Sequence, residues 1–222
     1  MSLDDNLFAM SPHSTLTLDI LPGGVPTLLI DNFYEWPDKI RQAALKLHFE
    51  TPQYPYPGKL AVLRQQVPSL GPAIRHVLGI VNNQYLPQVP LAADGSRIAA
   101  FRSVYTDFAL IDVHPSELSA AQRIPHTDPV PIFGLVYLNR AERGGTLFFQ
   151  QKADVPENPE GEGYFTNSSR EFELCGRIEG RFNRLAIYPG FVPHSGEIAG
   201  DWILGDARFT APRLTQRLVF MP

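Results

Sequence analysis

His126, Asp128 and, far downstream, His194 are the side chains in this sequence best placed by type and spacing to do chemistry. If His126-Thr127-Asp128 lies on a strand, alternation turns its first and third side chains to the same face, roughly 7 Å apart along the backbone. Two imidazoles and one carboxylate closing on a point occupy one face of a metal's octahedron and leave the other open. That ligand set is the facial triad of non-haem iron(II) oxygenases, whose open positions take an organic cosubstrate and O₂. With six histidines in the chain a His-x-Asp arises by chance, so the surrounding elements decide its weight.

Those elements read as β-structure. Pro125 and Pro129 bracket the tripeptide, and Pro131 to Asn139 follows as a β-rich run. Gly144-Gly145 marks a turn and Thr146 to Phe149 resumes strand chemistry, so the ligand pair is expected to lead into a β-meander. Phe182 to Tyr188 alternates apolar and polar residues, Pro189-Gly190 turns the chain, and Phe191-Val192-Pro193 delivers His194 to the rim of a strand. In the last strand-like run, Arg213 to Phe220, the odd-numbered Arg213, Thr215 and Arg217 share a face. An inward face with two cations needs an anion.

Taken in order, His126-x-Asp128, Tyr137-Leu138-Asn139, Gly144-Gly145, Arg181 to Leu185, Pro193-His194 and a final-strand Arg resemble the prolyl-4-hydroxylase-like branch of the iron(II)/2-oxoglutarate dioxygenases. The resemblance spans roughly residues 97 to 220. Pro26 to Phe33 is similar to the opening of such domains, and Gln122 to Pro129 is similar to an uncharacterised bacterial subgroup. It implies a mainly β fold with flanking helices, a double-stranded β-helix or jelly roll. It further implies that His126, Asp128 and His194 hold Fe(II), and that 2-oxoglutarate chelates the metal through its 1-carboxylate and keto oxygen. The far carboxylate would meet Arg213 and Tyr137, with Thr215 as a hydroxyl donor. Arg213 lies further beyond His194 than the family's spacing, which calls for an insertion over residues 197–209. Arg217 and Arg208 therefore stay open as alternative anchors. The implied reaction couples decarboxylation of 2-oxoglutarate to succinate with hydroxylation of an unidentified small-molecule or peptide substrate.

Length and composition fit one domain: 222 residues, 44% of them hydrophobic, with residues 1–96 supplying an N-terminal strand and supporting helices and residues 97–222 the catalytic β core. A net charge of −4 and the lack of any Lys/Arg run argue against nucleic acid as a partner. Cys175 stands alone, so no intramolecular disulfide forms; a buried thiol in a reducing cytoplasm is expected. Met1 to Asn6 lacks the charged start and apolar run of a secretory signal, and no stretch of about 18 apolar residues is present to span a membrane.

The first third reads as two supporting helices. Pro37 suits a first helical position, Asp38 its first turn, and Ile40, Ala43, Ala44 and Leu47 repeat at helical spacing. A second helix from Pro68 would bury Leu70, Ile74, Val77 and Val81 against the outer face of the major sheet. Thr51 to Gly58, with three prolines and two tyrosines, reads as an ordered surface loop or a substrate-facing lid, and residues 153–169 as a second long loop. His13, His48 and His76 read as structural, whereas His114, in Asp112-Val113-His114, is the rival metal ligand. Two other readings remain: a jelly-roll binding module without turnover, and a cupin-type metalloenzyme without 2-oxoglutarate, whose usual His-rich cluster is missing.

Overall fold

Stretches rich in β-branched and aromatic residues become the strands. A computed structural model of the chain describes residues 4–89, 92, 94–140, 144–154, 164–198 and 212–222. Its strands are β1 (Thr15–Leu21), β2 (Val25–Asp31), β3 (Lys59–Ala61), β4 (Ser103–Ile111), β5 (Ile132–Tyr137), β6 (Thr146–Gln151), β7 (Phe172–Ile178), β8 (Leu185–Pro189), β9 (His194–Gly196) and β10 (Arg213–Met221). They form a seven-stranded antiparallel sheet, β1-β2-β8-β5-β10-β4-β3, and a three-stranded one, β7-β6-β9. The protein is mainly β. β5 and β8 are buried at every residue, the pattern of central strands covered on both faces.

The covering layers differ. Helix α1 (Pro37–Ala44) begins at its proline and buries Ile40 and Ala44. Helix α2 (Leu70–Ile80) buries Ala73 and Val77 and runs into a wider π turn over Val81–Tyr85. Its buried stripe is thus Ala73, Val77 and Val81, one residue away from the Leu70/Ile74 edge that the sequence suggests. Both helices share a core with Leu28, Val136, Leu185 and Leu218, so they lie on one face of the large sheet, as expected. On its other face Phe133, Leu135, Tyr137 and Tyr188 pack with Phe148 of β6 and Ile178 of β7. The functional groups lie in this seam between the sheets.

Three expectations need correction. The first is the meander: β5 and β6 belong to different sheets, and the chain crosses between them near Gly144 and Gly145. Gly144 has φ 75°, and a Cβ on Gly145 would lie 2.0 Å from the Ile178 carbonyl oxygen, so only glycine fits this backbone-to-backbone passage. The second is strand β8, which starts at Leu185 because Asn183 takes φ 63° and spends its amide on Tyr34. Its Oδ1 accepts from the Tyr34 N–H at 2.9 Å and its Nδ2 donates to the Tyr34 carbonyl at 2.8 Å. The third is the N-terminal third, which supplies three strands at the two edges of the large sheet rather than one. Cys175 is also only partly buried, its Sγ 3.3 Å from the Glu173 carbonyl oxygen. Among the described residues no helix is long and apolar enough to cross a membrane.

A half-buried ion pair ties β2 to the approach of β8. Arg184 donates from Nε to Asp31 Oδ1 at 2.6 Å and from Nη2 to Oδ2 at 2.8 Å. This hydrogen bonding, partly opposed by burial and helped by the Arg184 and Arg181 charges, holds the Asp31 carboxyl below the usual range. A carboxyl whose folded pKa is depressed contributes stability that is present above the unfolded value of about 3.9 and lost as pH falls toward the lower folded value. Denaturant melts from pH 5 downward should therefore show an acid limb below about pH 4 that flattens in Asp31→Asn. An unchanged limb in that variant would deny the pair this role.

Candidate metal centre and its pocket

The metal candidates are positioned by backbone pairing. The His126 N–H donates to the His194 carbonyl at 2.9 Å and the His194 N–H returns to the His126 carbonyl at 2.8 Å, an isolated antiparallel bridge that extends the small sheet. The Asp128 N–H donates to the Gly190 carbonyl at 2.8 Å, so residues 126 to 128 run extended beside the β8–β9 turn. The expected shared face results. One ligand atom from each of His126, Asp128 and His194 lies within 4.8 Å of the other two, and the imidazole centroids stand 4.8 Å apart. His194 is buried, Asp128 is partly buried, and His126 keeps an exposed edge at the mouth.

The electrostatics fit a cation. His194 Nδ1 lies 2.8 Å from the Val192 carbonyl, which can only accept, so Nδ1 carries a hydrogen and Nε2 is the nitrogen left to coordinate. Nε2 stands 3.2 Å from Asp128 Oδ2, which is buried and meets no donor in hydrogen-bond geometry. A divalent ion seated among the three ligand atoms would satisfy both of these groups. Burial acts to raise the Asp128 pKa, but its close contact with His194 and the charges of His126 and Arg217 outweigh it and keep the carboxyl low. The protein packed around the His126 ring, and then His194 beside it, push that imidazole down to about 4 despite its exposed edge. At neutral pH the carboxylate is ionised and His126 neutral, the forms in which each coordinates.

Around the triad lies a pocket of about 640 Å³. A larger cleft of about 1160 Å³ runs along α1 and β3, but the triad is the one metal-type cluster among the described residues and it opens into the smaller pocket. Arg213 lines that pocket, is 4% exposed, and donates from Nε to the Gly144 carbonyl at 2.8 Å and from Nη2 to the Gly145 carbonyl at 3.3 Å. Among the described residues no carboxylate pairs with it. Two neutral carbonyls hold the guanidinium in place without cancelling its charge. Tyr137 shares a 2.7 Å hydrogen bond with Thr146 Oγ1, and Thr215, opposite Tyr137 in register, is fully buried with Oγ1 unpartnered.

Arg217 is corrected as a cosubstrate anchor. Its Nε donates to Asp107 Oδ1 at 2.6 Å and its Nη2 to Oδ2, a forked pair across the β10–β4 register in which Asp107 is 3% exposed. Its charge is already answered. Arg208, like most of the proposed insertion at 197–209, lies outside the described residues. Of the two loops, Tyr54 to Pro57 stands on the pocket wall, pinned where Gln122 Nε2 of α3 (Ala120–Arg123) donates to the Tyr56 carbonyl at 2.7 Å. Residues 155–163 of the other loop lie outside the described residues, but its end brings Tyr164 to the pocket.

The rival histidine is otherwise engaged: His114 caps a short 3₁₀ turn, its Nδ1 accepting from the Ser116 N–H at 3.2 Å. His13, His48 and His76 are exposed and away from the pocket. Sequence reasoning missed the Gly144 and Gly145 carbonyls as the cradle of Arg213, Tyr188 as the ring packed 5.0 Å from the His194 imidazole, and Tyr164 altogether. The Gly-Gly pair was the available signal for the first, because paired glycines mark close backbone approach as well as turns.

No curated protein matches the sequence. A family of unknown function (DUF6445) matches over residues 12–158 and 150–220, nearly the whole chain, and the chain belongs to that family.

Proposed function

We propose that the protein is an Fe(II)- and 2-oxoglutarate-dependent oxygenase that hydroxylates an organic substrate. The observation that carries the reading is a pair of charged groups in one pocket: the half-buried Asp128 carboxylate, gathered with His126 and His194 around one point, and the buried Arg213 guanidinium, which no carboxylate of the described residues pairs. A divalent cation answers the first and a dianionic chelator the second. The connectivity supports a jelly-roll reading. β8-β5-β10-β4 faces β7-β6-β9 extended by the His126 bridge, so that eight segments wrap in two sheets of four.

In this reading His126, Asp128 and His194 hold the metal, and Arg213 fixes the far carboxylate of 2-oxoglutarate through its remaining N–H groups, with Tyr137 and Thr215 as neighbouring hydroxyls. The iron supplies the oxygen chemistry when bound. The protein orients the cosubstrate, and the apolar residues Phe133, Leu135 and Val219 keep the site dry on the sheet side. The overall change balances as R–H plus O₂ plus 2-oxoglutarate giving R–OH plus succinate plus CO₂.

The test is cosubstrate turnover. Chain loaded anaerobically with Fe(II) should release succinate from 2-oxoglutarate slowly on its own, and only when both iron and O₂ are present. Failure to bind 2-oxoglutarate in calorimetry with a divalent ion in place would remove this reading in favour of a binding module.

A further inference from the structure

The two edges of the large sheet are finished differently. At one edge β3 is short, carries Lys59, and is covered by Glu50, whose N–H donates to the Leu60 carbonyl at 2.9 Å while its carbonyl accepts from the Leu60 N–H at 2.8 Å. At the other edge β1 runs for seven residues, contains no proline or lysine, and pairs with β2 alone among the described strands. Its outer main chain is open. The Asp19 carbonyl faces β2, where it accepts from Thr27 Oγ1 at 3.3 Å, so the Ile20 N–H of the same peptide unit points away from the ladder and is met by its neighbour Asp19 Oδ1 at 2.8 Å. Antiparallel ladders alternate, so Leu16 and Leu18 turn their N–H and carbonyl groups to the open side as Ile20 does.

The side chains of those three residues are exposed as well. Leu16, Leu18 and Ile20 are 38%, 37% and 63% exposed and share one face, opposite Ile30, Leu28 and Pro26 of β2. Leu28 and Ile30 bury that face in the helical core, and the stripe on β1 continues it beyond the cover. Sheets commonly blunt such an edge with charge, proline or a covering segment, as the β3 edge is blunted here by Lys59 and Glu50. An apolar edge strand with open main-chain groups is a template for another strand.

The residue pattern of β1 fits its own copy. Antiparallel pairing about a two-fold axis at Leu18 sets Leu18 against its counterpart and Leu16 against Ile20 twice, so the apolar stripe meets itself. On the other face this register sets Asp19 against Thr17, and the two carboxylates stay apart. An axis at Asp19 would oppose them, and one at Thr17 would set Ile20 against Ser14. Seven paired residues and the stripe cover on the order of 1,000 Å² in total, enough for a weak specific contact. We propose that β1 pairs antiparallel with the β1 of a second copy, with Leu18 on the axis, so that the two large sheets join edge to edge. The Ile20 N–H then exchanges Asp19 for the Leu16 carbonyl of the other copy. No β1 residue lines the metal pocket, so this inference stands independently of the oxygenase reading.

Sedimentation velocity on the full chain from about 1 to 300 µM should show monomer passing to dimer, with a dissociation constant on the order of 10 µM for so small a contact. Leu18→Lys places two ammonium groups together on the axis and should weaken the dimer about tenfold or more, with metal affinity unchanged. Register is read by cross-linking in a Cys175→Ser background. Leu18→Cys sets two thiols opposite each other with Cα atoms about 5.5 Å apart, within disulfide range, whereas Thr17→Cys leaves them diagonal at roughly 8 Å. Mild oxidation should give a covalent dimer from the first and not from the second. A monomer throughout the range, a dimer that Leu18→Lys leaves intact, a series of larger species in place of a dimer, or equal cross-linking of the two cysteine variants would each overturn the inference. If Leu18→Lys does not fold, the cysteine variants decide.

Discussion

Asp128→Asn should empty the metal site while leaving the metal-free fold in place. The parent carboxylate is half-buried, with Oδ2 buried and 3.2 Å from His194 Nε2. An amide in its place keeps the side chain's shape and can donate to His194 Nε2, so the metal-free melt should stay within about 1 kcal/mol of the parent. Divalent-ion affinity should fall about 100-fold or more, roughly 2.8 kcal/mol, because an anionic ligand has become a neutral one. His126→Ala and His194→Ala should lose metal in the same way. Melts in chelator together with metal titration separate this from a structural role, for an Asp serving the fold would lose stability when neutralised. A destabilised Asp128→Asn with iron affinity intact would sink the metal-centre reading.

Arg213 and Arg217, neighbours on one face of β10, should behave oppositely when truncated. Arg213 is cradled by two carbonyls and pairs with no carboxylate of the described residues, so Arg213→Ala should raise the 2-oxoglutarate dissociation constant about 100-fold while leaving metal affinity and most of the stability in place. Arg217 neutralises Asp107, which is 3% exposed. Arg217→Ala strands that carboxylate and should cost about 3–5 kcal/mol of stability, with 2-oxoglutarate affinity of the folded fraction unchanged. Paired replacement of Arg217 by Met and Asp107 by Leu should recover much of that loss. Denaturant melts and calorimetry read both effects. If Arg217→Ala proves the weaker binder of 2-oxoglutarate and Arg213→Ala the less stable fold, the two roles are reversed.

That contrast shows where the sequence stops being legible. Strand alternation is local, so the shared face of Arg213, Thr215 and Arg217 and that of His126 and Asp128 can be read from spacing alone. The partner of each arginine cannot, because Asp107 meets Arg217 only through the β10–β4 register, a pairing across a long stretch of chain. The same limit explains the meander. Periodicity identifies β5 and β6 as strands, but the sheet each one joins is decided by the passage of Gly145 against the Ile178 backbone. The start of β8 went astray for a related reason: Asn183 looks like one more polar residue in an alternating run, and only its grip on Tyr34 turns the chain. Helix α1 was legible because its proline, first-turn aspartate and apolar stripe agree with one another.

The two reciprocal hydrogen bonds between His126 and His194 set the bite of the site by main chain alone. A donor set fixed in this way needs no ion to assemble, and so it has little means of choosing among ions by induced adjustment. Divalent first-row metals then compete by intrinsic avidity, with copper, nickel and zinc ahead of ferrous iron. Mismetallation is the built-in hazard of such a centre. If the proposed centre is loaded on isolation, the ion found would record what the surrounding medium supplied, and any selection for iron would have to come from supply.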